Sequence, residues 1–355
     1  MNTPKQQKPF FLYIIISILA VAVIGLGGLA LYGLASLQSK VTELQDTVQE
    51  MAETSANLVA QSDELKQLQE QNQQSSSDTV SAESASQEEG TLSPSHSSET
   101  VSSETTTDES LNNLLSQVRT LLPQDNGNWS VYVCNLMKGT EGTIDNQPMQ
   151  AASLIKLFIM GAVYENYDQL CETYDADTLN SYLNPMITVS DNDAANTLVN
   201  MLGGGDDSAG MDVVNAFCQA HGYTSTSMGR LLLHSNENGD NYTSVNDCGH
   251  FLKEIYQINA GTAENPTLSH ADAMYSLLKM QERRNKIPAD MPEGVSVANK
   301  TGELDNVEND VGIIYNTTKG IDLVVCFMSQ NLSSTGNAQE TIAQDSRMIY
   351  GYYNE

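Results

Sequence analysis

Ser153-Leu154-Ile155-Lys156 sets a hydroxyl and an amine three residues apart. On a helix, positions i and i+3 share one face, so the two groups can touch. A serine is a weak nucleophile until a base takes its proton. A lysine becomes such a base when burial or a nearby positive charge lowers its pKa, and Leu154, Ile155, Leu157 and Phe158 supply apolar surroundings. Alone the tetrad is weak, because Ser-x-x-Lys arises by chance and a capping serine beside a surface lysine is the simpler reading. Ser190-Asp191-Asn192 is a second candidate. Its residue types are the preferred helix caps, but Ser190 could also shuttle a proton and Asn192 offer an amide to a substrate, with Asp191 holding the turn. Lys300-Thr301-Gly302 is a third. The lysine and threonine suit a carboxylate, and the glycine allows close backbone approach at a strand edge where a substrate can pair. A plain turn at a strand end is its simpler reading.

These residues need elements to hold them. The alternating, Val- and Tyr-rich run Trp129–Leu136 predicts a strand. Helical patterns follow over Ala152–Tyr164, Asn192–Leu202, Val213–His221, Val245–Ile255 and Asp272–Arg283. Three strand-like runs come next, Val295–Thr301, Val311–Tyr315 and Leu323–Ser329, and then a helix over Ala338–Tyr352. Strands from both ends of this region should meet in one antiparallel sheet, with helices packed on it and a helical lobe between, an α+β or α/β-sandwich arrangement.

SxxK, SDN and KTG, in that order, are the motif set of class A β-lactamases and penicillin-binding proteins. The flanks AASLIKLFIM, MITVSDNDAANTLVNMLGG and VANKTGELDNVENDVGIIY also resemble the class A β-lactamase family, as does the element order. The resemblance covers about residues 125–355 and implies an antiparallel five-stranded sheet flanked by helices. It implies that Ser153 is acylated by a β-lactam or a peptidoglycan-like acyl donor, that Lys156 acts as base and that Ser190 relays the proton. Asn192 would contact a substrate amide, and Lys300 and Thr301 would grip its carboxylate. Beside Gly302, the backbone N–H groups of Ser153 and Glu303 would form the oxyanion hole. No metal or cofactor is expected.

The chain departs from that family in three places. The family activates the deacylating water with a glutamate in an Arg-x-Glu-x-x-Leu-Asn-like stretch. Here Arg230 and Asn236 keep the spacing, and Leu232 stands where the glutamate belongs. Glu237 and His234 are the substitutes at hand, by residue type alone. After Gly302 come Glu303, Asp305, Glu308 and Asp310 without a Lys or Arg, so the mouth should be acidic and repel an anionic substrate. The short Ser153-to-Ser190 interval predicts a trimmed helical lobe and a more open site. The enzyme reading is a serine hydrolase for which efficient β-lactam hydrolysis is in doubt. The alternative is a non-catalytic module that binds cell-wall peptide in the same cleft.

The remainder of the chain speaks to placement. With 45 acidic and 16 basic residues the formal charge is −29, which disfavours nucleic acid as a partner. Residues 1–8 carry Lys5 and Lys8, and the uncharged stretch 9–36 holds an apolar core, Phe10 to Ala35. That length suits a membrane helix with its N-terminus in the cytoplasm and the rest outside. Gly33-Leu34-Ala35 leaves cleavage as a signal peptide open. Apolar residues from Leu37 to Leu65 follow a heptad spacing over 37–70, which fits either a coiled-coil stalk that makes a homo-oligomer or a single solvated helix. Residues 71–110, rich in Ser, Thr and Glu, form an expected disordered linker, and 111–355 the hydrolase domain. The five cysteines, at 134, 171, 218, 248 and 326, have no metal-type spacing. Disulfides and free buried thiols both remain compatible with them.

Overall fold

Strand β1 (Asn128–Asn135) is buried on both faces, and its side chains divide by parity. Trp129, Val131 and Val133 enter one apolar core, while Tyr132 and Cys134 enter another. Strand β7 (Leu323–Gln330) divides the same way, with Leu323, Val325 and Phe327 on one side and Val324, Cys326 and Met328 on the other. A sheet apolar on both faces must be covered on both. The computed structural model describes residues 109–355 apart from Asn238. The expected tail (1–8), membrane anchor (9–36), coiled-coil stalk (37–70) and nearly all of the linker lie outside the described residues. Among the described residues no helix is long and apolar enough to cross a membrane.

The sheet has five strands in the order β2-β1-β7-β6-β5, every pair antiparallel, with β2 at Thr140–Ile144, β5 at Ser296–Leu304 and β6 at Val307–Tyr315. Helices α1 (Glu109–Leu121) and α9 (Thr335–Asn354) cover one face through Leu111, Leu114 and Val118, and through Ile342, Ile349 and Tyr350. Helix α1 takes in the last two residues of the expected linker, 109 and 110, because its apolar stripe starts at Leu111. The other face carries the helical lobe: α2 (Ile155–Glu165), α3 (Tyr167–Cys171), α4 (Ala176–Thr188), α5 (Asn192–Leu202), α6 (Asp207–Ala220), α7 (Val245–Asn259) and α8 (Ala271–Lys279). Every residue of α2 from Ile155 to Tyr164 is buried, Lys156 included. A small ribbon of β3 (Met149–Gln150) and β4 (Tyr242–Thr243) stands beside the sheet.

Several expected boundaries move, each for a visible reason. Strand β5 runs three residues past Thr301, so Lys300-Thr301-Gly302 lies inside a strand and not at a turn. The hairpin with β6 is tight, with Leu304 facing Val307. Helix α8 stops at Lys279 rather than Arg283. There the chain docks on the end of α4: the Glu282 N–H donates to Thr188 O (2.9 Å) and Gln281 Nε2 to Ile187 O (2.7 Å). Helix α4 has no counterpart in the sequence reading, since Pro185 in its last turn looks like a helix breaker. All five cysteines are free thiols, four of them buried.

Candidate active site

The chain enters the site through a strained turn. Ala152 takes a left-handed φ of 47°, a conformation that costs an L-residue energy and recurs at functional sites. A single 3-10 turn, Ala152–Leu154, then leads into α2 and sets Ser153 half-buried at its mouth. Gly302 on β5 packs against this turn. A Cβ there would stand 2.8 Å from Ala151 O and 3.3 Å from the Ala152 Cβ. The glycine is therefore what lets the strand lie against the nucleophile.

Lys156 Nζ lies 3.2 Å from Ser153 Oγ and 3.2 Å from Ser190 Oγ. It donates to Ser190 O at 2.6 Å and to Asn192 Oδ1 at 2.8 Å. Burial lowers its pKa to about 7; Asp191 opposes the shift and Arg283 adds to it. On the far side of Ser190, Lys300 Nζ donates to Ser190 Oγ and to Thr301 O, both at 2.8 Å. Lys300 is fully buried, and desolvation, with Lys156 and Arg283 nearby, holds its pKa well below the ordinary lysine value. Ser190 itself has a left-handed φ of 65°. Asp191 caps α5 by accepting the Ala194 N–H at 2.7 Å, the turn-holding role expected of it. The three motifs thus converge: one serine hydroxyl bridges two buried amines, and one of those amines touches the second serine.

Beside Ser153 opens a cleft of about 360 Å³, walled by Ala152, Ser153 and Asn192, by the loop from Arg230 to Asn236, and by Glu303 and Leu304. Leu232 lies in that wall, 6 % exposed. Asn196 grips its backbone twice, accepting the Leu232 N–H (2.8 Å) and donating to Leu232 O (3.1 Å). Arg230 pairs with Asp240 at 2.7 Å at the base of the loop. His234 is an exposed part of the wall, whereas Glu237 is exposed and is not among the lining residues.

The acidic mouth expected from the sequence is not there. Glu308 and Asp310 are buried. Glu308 accepts from Lys286 at 2.7 Å, and Asp310 accepts from Asn299 at 2.8 Å and from the Ile287 N–H at 3.0 Å. Glu303 does line the cleft, but it is paired with Arg283 (2.7 Å) and Lys286 (2.9 Å). The cations come from a different segment, which the sequence reading missed. The available signal was the cluster Arg283, Arg284 and Lys286 in a chain with only 16 Lys and Arg. Among the described residues no group of three or more His, Cys, Asp and Glu is placed to hold a metal ion.

The sequence matches the beta-lactamase enzyme family over residues 113–170 and 172–353. No curated protein matches it. Among solved structures it is similar to PBP-A, at 25 % identity and a TM-score of 0.57, over 68 % of this chain and 96 % of that one. A leucine-to-glutamate mutant of PBP-A, solved as its acyl-enzyme complex with penicillin G, matches at 25 % identity and 0.58, over 68 % and 97 %. A β-lactamase from Sphaerobacter thermophilus DSM 20745 shares the fold at 23 % identity and 0.55, over 68 % and 97 %. With the fold, the converging motifs and the family match in agreement, the chain belongs to the beta-lactamase enzyme family and is a serine hydrolase.

Proposed function

We propose that this protein is a membrane-anchored, extracytoplasmic hydrolase acylated at Ser153 by β-lactams or peptidoglycan-like acyl donors, and that it releases the acyl group slowly. The observation that carries this reading is the buried Lys156 amine within 3.2 Å of both Ser153 Oγ and Ser190 Oγ. An amine with a pKa near 7 is neutral in a large fraction at physiological pH and can take the serine proton. Ser153 Oγ then bonds to the acyl carbon, whose oxygen would be received by the N–H groups of Ser153 and Glu303. As the leaving group departs, its proton comes from Lys156 through the Ser190 hydroxyl, which Lys300 holds in place. Asn192 lines the cleft, where its amide can meet the substrate. Such a relay has no part in a cleft that only binds peptide.

Slow release is argued from Leu232, which has no group to take a proton from water. The neighbour solved with penicillin G attached as an acyl-enzyme is consistent with acylation of this cleft by a β-lactam. The anchor rests on the apolar run Phe10 to Ala35 behind Lys5 and Lys8, and oligomerisation on the heptad spacing of 37–70. Intact-protein mass spectrometry with benzylpenicillin tests the central claim. One acyl adduct that persists over hours is expected, and none on Ser153→Ala; an adduct that survives this substitution places the nucleophile elsewhere. Membrane fractionation, with a gel comparison of precursor and membrane-bound product, tests the anchor.

A further inference from the structure

Lys286 takes no part in the steps of acylation, yet its side chain is fully buried. Its amine reaches two carboxylates, Glu303 Oε1 at 2.9 Å and Glu308 Oε2 at 2.7 Å. These two residues face each other across the β5–β6 hairpin. Arg283, three residues before Lys286, holds the other oxygen of Glu303, Oε2, at 2.7 Å. The segment after α8 therefore grips Glu303 by both carboxylate oxygens. Burial works to raise this carboxyl, but Lys286, then Arg283 and Lys300, outweigh it and keep it ionised. Glu308 is anchored in turn. Gln339 Nε2 on α9 donates to its Oε1 at 2.9 Å, and Ser329 Oγ on β7 donates to its backbone O at 2.6 Å. A line of contacts thus runs from α9 and the middle of the sheet, through Glu308 and Lys286, to Glu303 at the cleft.

Strand β5 is the edge of the sheet, and the chain turns just past Glu303, between Leu304 and Val307. An edge strand beside a turn has fewer contacts than a central one and opens more readily. Lys286 and Arg283 balance Glu303 and Glu308 in charge. Buried pairs of this kind add little net stability, because the cost of desolvating the ions offsets their attraction. What they impose is a geometry. We propose that Lys286 is a positioning residue for acylation: by clamping Glu303 and Glu308 it fixes the end of β5, so that the Glu303 N–H stays aimed at the oxygen of the substrate carbonyl. This rests on Ser153 being the acylated residue and on that N–H being an oxyanion donor.

The test uses the full chain and two donors that share the acyl group and the departing thiol, a thioester with C=O and a dithioester with C=S. With either, Ser153 Oγ bonds to the acyl carbon, the C–S bond to the thiol breaks and the serine proton ends on the departing sulfur. Thiol release and adduct mass report the rate. Oxygen accepts an N–H far better than sulfur does, so the ratio of the two kcat/KM values, C=O over C=S, reads how well the Glu303 N–H is aimed. Two variants cut the clamp. Lys286→Met with Glu308→Gln removes one charge of each sign and strands no buried ion. Glu303→Ala cuts the clamp at its half-buried end and keeps the N–H. In each the ratio should fall by about tenfold or more, through kcat for the thioester rather than KM. A ratio at the wild-type value in either variant overturns the proposal, whether both rates hold or both fall together, the latter being the mark of packing alone. If the double variant does not fold, Glu303→Ala decides. If neither donor acylates wild-type Ser153, the acyl-transfer reading of the cleft fails and takes this inference with it.

Discussion

At Lys156 a single physical cause, burial, does most of the work of making a base. An amine whose pKa stands at about 7 is mostly protonated below that pH and mostly neutral above it. Acylation needs the neutral form, so its rate should rise about tenfold per pH unit below 7 and level off above it. Adduct formation followed from pH 5 to 9 checks this, and a rate that falls across that range would remove Lys156 from the role of base. Lys156→Met should slow acylation by about 10²–10⁴-fold. Leu232 governs the other half of the cycle. Leu232→Glu puts a carboxyl group in a mostly buried part of the cleft wall, where desolvation moves its pKa toward neutrality. Release of the benzylpenicillin adduct should then accelerate by about 10²-fold or more; an unchanged adduct lifetime would mean that the loop does not present this position to the ester. The reacting residues were legible in the sequence because each motif is a short local pattern with its own chemistry. The ion pairs of Glu303 were not, since its cations sit 17 and 20 residues away and only the docking of the segment after α8 brings them in.

At the scale of elements, the site depends on how β5 lies against the turn that carries Ser153. Gly302 makes that contact, and an added methyl would press on Ala151 O at 2.8 Å. Gly302→Ala should push strand and turn apart by a fraction of an ångström. That disturbs the spacing between Ser153 and the Glu303 N–H, and misplacement on the scale of 1 Å can cost about 10²-fold in rate. The expected outcome is acylation slowed by about tenfold or more, with a helix and strand signal in circular dichroism close to wild type. An acylation rate equal to wild type would show that the turn absorbs the methyl. Helices α5 and α7 were readable because they begin at strong caps, Asp191 and Ser244, and carry clear apolar faces, whereas α3 and α4 between α2 and α5 were not read. Strand β2 was not readable, because Thr140 to Thr143 bring no apolar side chain and only Ile144 of this edge strand is buried. The length of β5 was set by its pairing with β6, a non-local contact that no run of residues announces.

At the scale of the whole molecule, the face of the sheet opposite the active site carries a polar group in the wrong surroundings. Asp345 on α9 is 3 % exposed, its Oδ2 has no hydrogen-bond partner, and Ser346 Oγ beside it has none either. Desolvation alone raises its pKa from 3.8 to about 7. A carboxyl whose folded pKa lies above its unfolded value favours folding below the unfolded pKa, and this contribution is lost as pH rises through the folded one. Between about pH 4 and 7 the folded state binds the extra proton, so stability from this group falls across that window and is flat above it. Asp310, raised to about 6, adds in the same direction, whereas Lys156, with its pKa lowered to about 7, gains stability as pH rises above that value. Asp345→Asn isolates the first effect, because it keeps the shape and removes the charge. The variant should be more stable than wild type at pH 8 by about 1–3 kcal/mol. That corresponds to a Tm higher by about 2 °C or more, with the gap narrowing toward pH 4. A gap that is the same at both pH values would mean that Asp345 is not the group that titrates. Its distance from the cleft gives the substitution a second use, since the pH profile of acylation at Ser153 should not move with it.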